Sequence, residues 1–131
     1  MKKYIGTKQI EAEPMIMGKA YERGLLRAGR VPNEAEKDND GYHVKYQDGY
    51  ESWSPREVFE KAYKVADTPL DRMYVEYNEL MDKYDKLVLF LGRKDAGEIA
   101  GESQVDLMEL QRLRMLDYLL VLKERIDLMK E

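Results

Sequence analysis

Arg112 interrupts an apolar row. Val105, Met108, Met115, Leu119, Leu122, Ile126 and Met129 recur at steps of three and four, and Arg112 fills the one place in that series where a hydrocarbon belongs. A guanidinium withdrawn into an apolar seam must be offset by an acid or by a ligand. Two readings therefore stand: a pair with a carboxylate of a facing helix or another copy, and a contact with a bound anion. Arg125, beside Ile126 of the same row, can serve in the same two ways. Phe90 stands near the end of the preceding apolar row, either as core or as a ring that a ligand could stack on. Ten tyrosines, one tryptophan and two phenylalanines make rings abundant. Rings and arginines together hold nucleotides, by stacking on the base and pairing with phosphate. Tyr42, Tyr46, Trp53 and Phe59 are equally what a small sheet needs for its apolar face.

Catalytic signatures are weaker. His43 is the only histidine, and it reads as a surface residue on a strand. No cysteine is present, so no disulfide, thiol nucleophile or zinc–thiolate site exists. The carboxylates show no metal-ligand spacing, and Asp48 lacks the companion acids of a calcium loop. Neither GxxxxGK[ST] nor GxGxxG occurs. Ser52, Ser54 and Ser103 fit strand and cap roles. No cofactor and no metal are expected, and a binding protein is favoured over an enzyme. Lys19, Arg23 and Arg27, four apart with Arg30 just beyond, would share one helix face, either solvated or turned to phosphate.

These residues need elements to position them. Leu70, Met73, Tyr77, Leu80, Tyr84, Leu87 and Leu91 repeat the three-four rhythm of the second row, which predicts two long helices folded back on each other. Leu116 and Leu120 broaden the second apolar face. Thr68-Pro69 predicts an N-cap and first helical residue, Gly92 a C-terminus, and Ser103 with Asp106 a second N-terminus. The helices would be roughly 34 and 40 Å long. A lone hairpin leaves each with one neighbour, so an obligate oligomer follows.

Before the hairpin, Tyr4 to Ala12 alternates as a strand and Gly18 to Ala28 reads as a short helix weakened by Gly24. Val31 to Asp40 is a polar loop. Tyr42, Val44 and Tyr46 share one strand face, Asp48-Gly49 is a hairpin turn, and Tyr50 to Trp53 pairs back. Ser54-Pro55-Arg56-Glu57 has the pattern of a capping box, opening a helix to about Lys64 with Val58, Phe59, Ala62 and Tyr63 inward. The expectation is an α+β fold: a small N-terminal antiparallel sheet with short helices over residues 1–67, then a long antiparallel helical hairpin over 68–131.

The net charge of −4 excludes the basic excess that long nucleic acid requires, while a small anion needs only a few converging cations. No apolar run approaches a membrane span, and the first residues lack a signal-peptide core. A soluble, cytoplasmic protein is expected.

The hairpin carries Arg72-Met73, Glu79-Leu80, Lys86-Leu87, Phe90-Leu91, Gln111, Met115, Tyr118, Leu122 and Arg125-Ile126. In this it resembles the hairpin shared by two phage immune-evasion families, the anti-CBASS cyclic-nucleotide sponge and the first-described anti-Thoeris sponge. The N-terminal part, with Tyr4-Ile5-Gly6-Thr7-Lys8, Ala12-Glu13-Pro14-Met15, Gly41-Tyr42, Tyr46, Asp48-Gly49-Tyr50 and Ser52-Trp53-Ser54-Pro55, resembles the second of these. The resemblance implies a viral protein that sequesters immune second messengers in the infected bacterial cytoplasm and releases them unchanged. Its implied ligands are glycocyclic ADP-ribose isomers from TIR-domain enzymes, with cyclic dinucleotides or trinucleotides in separate pockets of some members. It implies dimers, some of them assembled by threes into hexamers. Phe90 matches the family's hairpin-tip aromatic and Arg125 its basic residue before the last isoleucine. Arg56, Lys64 and Arg112 join them as candidate ligand-binding residues by charge and position.

Two further classes compete. An oligomerisation or adaptor protein of a phage or mobile element would use the hairpin only for assembly, with its seam arginines paired to acids. A phosphodiesterase on the same messengers would return ligand of altered mass.

Overall fold

The structure, a computed structural model, describes residues 1–131. They form two compact units, Met1–Lys64 and Val65–Glu131. The chain is α+β, with a small antiparallel sheet and short helices first and long helices after, as the patterning predicts. No helix is long and apolar enough to cross a membrane.

In the first unit, β1 (Glu11–Pro14), β2 (Gly41–Lys45) and β3 (Glu51–Pro55) make an antiparallel sheet in the order β1-β2-β3. Two short helices accompany it, α1 (Met17–Glu22) and α2 (Arg56–Ala62). The β2–β3 turn closes where Asp48-Gly49 indicates. The Tyr46 amide donates to the Tyr50 carbonyl at 2.8 Å and the Gly49 amide to the Tyr46 carbonyl at 3.0 Å. Gly49 adopts φ +91°, which a side chain would oppose. The alternation of β2 holds as well. Val44 is buried, and the Tyr42 ring stacks on Phe59 of α2 with centroids 4.1 Å apart. Met17 and Ala20 of α1 are the other buried apolar residues of this unit.

Gly41 allows a close approach. A Cβ there would sit 2.4 Å from the Trp53 ring and from the Ser54 carbonyl oxygen. Gly41→Ala is therefore expected to destabilise this unit by about 1–3 kcal/mol through overpacking. Urea unfolding followed by Trp53 fluorescence measures it; an unchanged midpoint would contradict the packing described.

Several local expectations shift. The first strand is not Tyr4–Ala12 but Glu11–Pro14. Pairing sets its length: β2 offers five residues, and Glu11 to Pro14 already face Lys45 to Tyr42. The first helix stops at Glu22 rather than Ala28. Gly24 takes φ +71°, and the amides of Leu25 and Gly24 return to the carbonyls of Ala20 and Tyr21, which is a Schellman ending. The helix therefore cannot carry Lys19, Arg23 and Arg27 as one row. The expected Ser54 capping box is absent, because Ser54 pairs with Tyr42 in the sheet and α2 opens from Pro55 with no side-chain cap. Val58 is 60% exposed rather than inward. The polar stretch before β2 is a turn: Asn33 and Glu36 exchange backbone–side-chain hydrogen bonds of 2.9 and 3.2 Å, and Lys37 and Asn39 carbonyls accept from the start of α1.

The second unit contains α3 (Pro69–Leu91), the short α4 (Ala96–Ala100) and α5 (Glu102–Lys130). Thr68 and Asp71 complete a reciprocal capping box at 3.0 and 3.1 Å, with Pro69 in the first turn. Gly92 ends α3, but at φ −76°, so its place does not depend on glycine's freedom. The expected Ser103 cap is not used. α5 begins at Glu102 directly after Gly101, whose φ of +88° makes the corner, and α4 occupies the expected loop. The two seams meet. Met73 packs with Leu122 and Ile126, and Leu70, Tyr74, Tyr77 and Leu80 pack around them. Met115 and Leu119 are buried further along. As α3 ascends from Met73, α5 descends from Leu122, so the pair is antiparallel. Many other α5 leucines, among them Leu107, Leu113 and Leu120, remain exposed.

Candidate functional site

The register that sets Met73 against Leu122 sets Tyr84 against Arg112. Arg112 Nε donates to Glu109 Oε2 at 3.2 Å, one turn earlier on α5, and its side chain is 31% exposed. Hydrogen bonding to Glu109 first, and to the Tyr84 hydroxyl second, holds its pKa above the ordinary arginine value. So the seam cation is paired by an acid of its own helix, not of the facing one. A half-exposed Glu109 shares it with solvent, and the guanidinium keeps donors free, since one carboxylate cannot satisfy five.

Phe90 is half-buried near the end of α3, six residues past Tyr84, or about 9 Å along the helix. Arg125 is exposed on α5, thirteen residues from Arg112 and thus about 20 Å away. Phe90 and Arg112 lie toward one end of the hairpin and Arg125 toward the other. Within one hairpin, Arg125 is too far to share a small ligand with Arg112.

The remaining candidates belong to the first unit. Arg56 opens α2 and lies 3.6 Å from Asp40. It borders an open depression of about 460 Å³ whose other lining includes Trp53, Arg30, Glu36, Asp40 and Glu57. Arg30 pairs with Glu36, and Trp53 Nε1 donates to the Met15 carbonyl at 2.7 Å. Three acids against two arginines leave this depression short of free positive charge. Lys64 donates to the Glu60 carbonyl at 3.1 Å, capping the end of α2. Sequence reasoning missed the depression altogether, because it forms between segments far apart in the chain. It also missed the Tyr84 partner of Arg112, although aligning the two seams antiparallel would have revealed it.

His43 has a definite surrounding. Its Nδ1 lies 3.2 Å from Glu13 Oε1 and its Nε2 2.7 Å from Glu51 Oε1, so all three strands contribute. Two carboxylates, one at each nitrogen, favour the doubly protonated ring. Hydrogen bonding to Glu13, then Glu51, raises its pKa above the ordinary value of about 6.5. The sign follows. The unfolded chain loses this proton first, so the stabilisation is fully present below about pH 6.5 and is lost as pH rises through the raised folded value. His43→Gln is expected to flatten the fall in unfolding midpoint of the first unit between pH 6 and 8, measured by urea titration. The acids lie on opposite sides of the ring and do not converge on a metal. No cluster of three metal-ligating side chains is present in the chain.

Residues 67–128 match the family model described as Sequestin. The matched segment is the hairpin, from before α3 to near the end of α5, and it holds Phe90, Arg112 and Arg125. The Sequestin match agrees with the resemblance to the sponge hairpins, and the family's description points to sequestering a molecule. Comparison with curated proteins and with solved structures finds no match.

Proposed function

We propose that this chain is a sponge that binds cyclic nucleotide immune second messengers and holds them without cleavage. Its ligands are glycocyclic ADP-ribose from TIR enzymes and, in further pockets, cyclic dinucleotides or trinucleotides. It thereby blocks Thoeris defence, and CBASS defence where the second class binds. The observation that carries this reading is the Sequestin match over the very hairpin whose apolar seam contains Arg112. A cation kept at that seam place, held by an exposed acid of its own helix, can exchange that acid for a ligand phosphate.

In this reading Arg112 and Arg125 pair with phosphate and Phe90 stacks on a base, while Arg56 and Lys64 are the candidate ligand contacts of the first unit taken by itself. Since Arg125 lies about 20 Å from Arg112 along α5, it serves either a second ligand or a ligand shared with another copy. The protein works as a homo-oligomer, a dimer or a hexamer of three dimers, in the infected bacterial cytoplasm. Turnover is not part of the function.

The test uses the purified protein. It is incubated with glycocyclic ADP-ribose, freed of excess by gel filtration, and heated. Intact messenger released only on heating supports the proposal; failure to retain any cyclic nucleotide at micromolar protein refutes it, and released ligand of altered mass favours a phosphodiesterase. Two observations favour the adaptor reading, the first being the Arg112–Glu109 pair, which is what that reading expects of a seam arginine. The exposed leucines of α5 suit assembly alone, and that reading gains if the oligomer forms but retains no messenger.

A further inference from the structure

The ten residues before β1 have no regular structure, and no backbone hydrogen bond ties them to the rest of the chain. They are nonetheless patterned as a strand. Tyr4 and Ile5 are 88% and 92% exposed, an unusual state for two residues that favour strands. The segment leads directly into β1, which lies at the edge of the sheet with its outer side unpaired. Its composition is also one-sided. Lys2, Lys3 and Lys8 precede Glu11 and Glu13 with no acid among the first ten residues.

We propose that this segment pairs antiparallel with the same segment of a second copy, about a two-fold axis at Thr7, joining two sheets through their β1 edges. A two-fold perpendicular to a sheet keeps each residue on its own face, so the axis must pass through one residue position. At Thr7 the opposed pairs are Lys3 with Glu11, Tyr4 with Ile10 and Ile5 with Gln9, each occurring twice. One face gains two aromatic–aliphatic pairs and the other two ion pairs, the kinds of cross-strand contact that stabilise a sheet. The neighbouring registers are worse. An axis at Lys8 opposes two lysines, one at Gln9 sets Ile5 against Glu13, and one at Gly6 sets Tyr4 against Lys8. The pairing also closes two exposed edges, which otherwise invite uncontrolled association. It does not depend on what the hairpin binds.

The absence of native cysteine makes cross-linking a clean test. In the full chain under oxidising conditions, Thr7→Cys is expected to give a disulfide-linked dimer, and Gln9→Cys much less. Adding Lys3→Glu to Thr7→Cys should lower the yield about fivefold by replacing two attractions with two repulsions. Adding Glu11→Lys as well should raise it above either single charge change. No dimer from Thr7→Cys, equal dimer from both cysteine positions, or no rescue by the charge exchange would overturn the proposal. Messenger retention by the wild type is a separate readout: its failure would remove the sponge function and leave the cross-linking result unaffected.

Discussion

Replacing Arg112 by methionine is expected to weaken messenger binding about 10- to 100-fold while the hairpin stays folded. The loss corresponds to one charge-assisted hydrogen-bonded contact. The substitution suits the site, because methionine restores the hydrocarbon that the three-four series lacks and fills an irregular gap easily. Arg112→Glu should weaken binding further, by adding repulsion to the lost attraction and by facing Glu109. Two readouts separate function from structure: calorimetric titration with glycocyclic ADP-ribose, and helical signal through urea unfolding. If Arg112→Met binds as the wild type does, Arg112 belongs only to the Glu109–Tyr84 contact and the candidate site moves to the hairpin end around Phe90.

Leu122→Ala carries the largest expected cost in stability. Leu122 is fully buried and packs with Met73 and Ile126, where α3 and α5 hold each other most closely. Removing its three outer carbons loses their transfer energy and leaves a cavity that two rigid helices close poorly, about 2–5 kcal/mol in all. Leu120→Ala, two residues away on the exposed side, should change stability by no more than about 0.5 kcal/mol in an isolated hairpin. A larger cost at Leu120, one that grows with protein concentration, would show that another copy covers that side. A cost below about 1 kcal/mol at Leu122 would contradict the antiparallel register itself.

The seams are legible in the sequence; their register is not. Spacing alone assigns Met73, Leu80, Leu122 and Ile126 to apolar rows, and these residues pack together where the helices meet, but which residue of one row faces which of the other comes from the structure. Thr68-Pro69 marked the start of α3 correctly because a side-chain oxygen and a ring-fixed φ act within a few residues. Gly49 marked its turn for the same local reason. The misplaced elements were those whose ends are set by something distant. Tyr4 to Ile10 has strand alternation but no partner within the chain. Ser54 has the composition of a cap, yet its backbone is taken up by Tyr42 across the sheet. Ser103 has the composition of a second cap, but the positive φ of Gly101 turns the chain and starts α5 two residues sooner.

The candidate residues divide in the same way. Sequence alone determined that Arg112 is out of place among hydrocarbons, that the chain holds no thiol chemistry, and that two helices share a long seam, because residue type and period suffice for each. Tertiary structure decided which acid holds Arg112, that Arg56 and Arg30 are already neutralised by Asp40 and Glu36, and that His43 sits between two carboxylates from different strands. Those outcomes depend on distances between groups remote in the chain, and side-chain charge is spent or kept according to what the fold brings within a few ångströms.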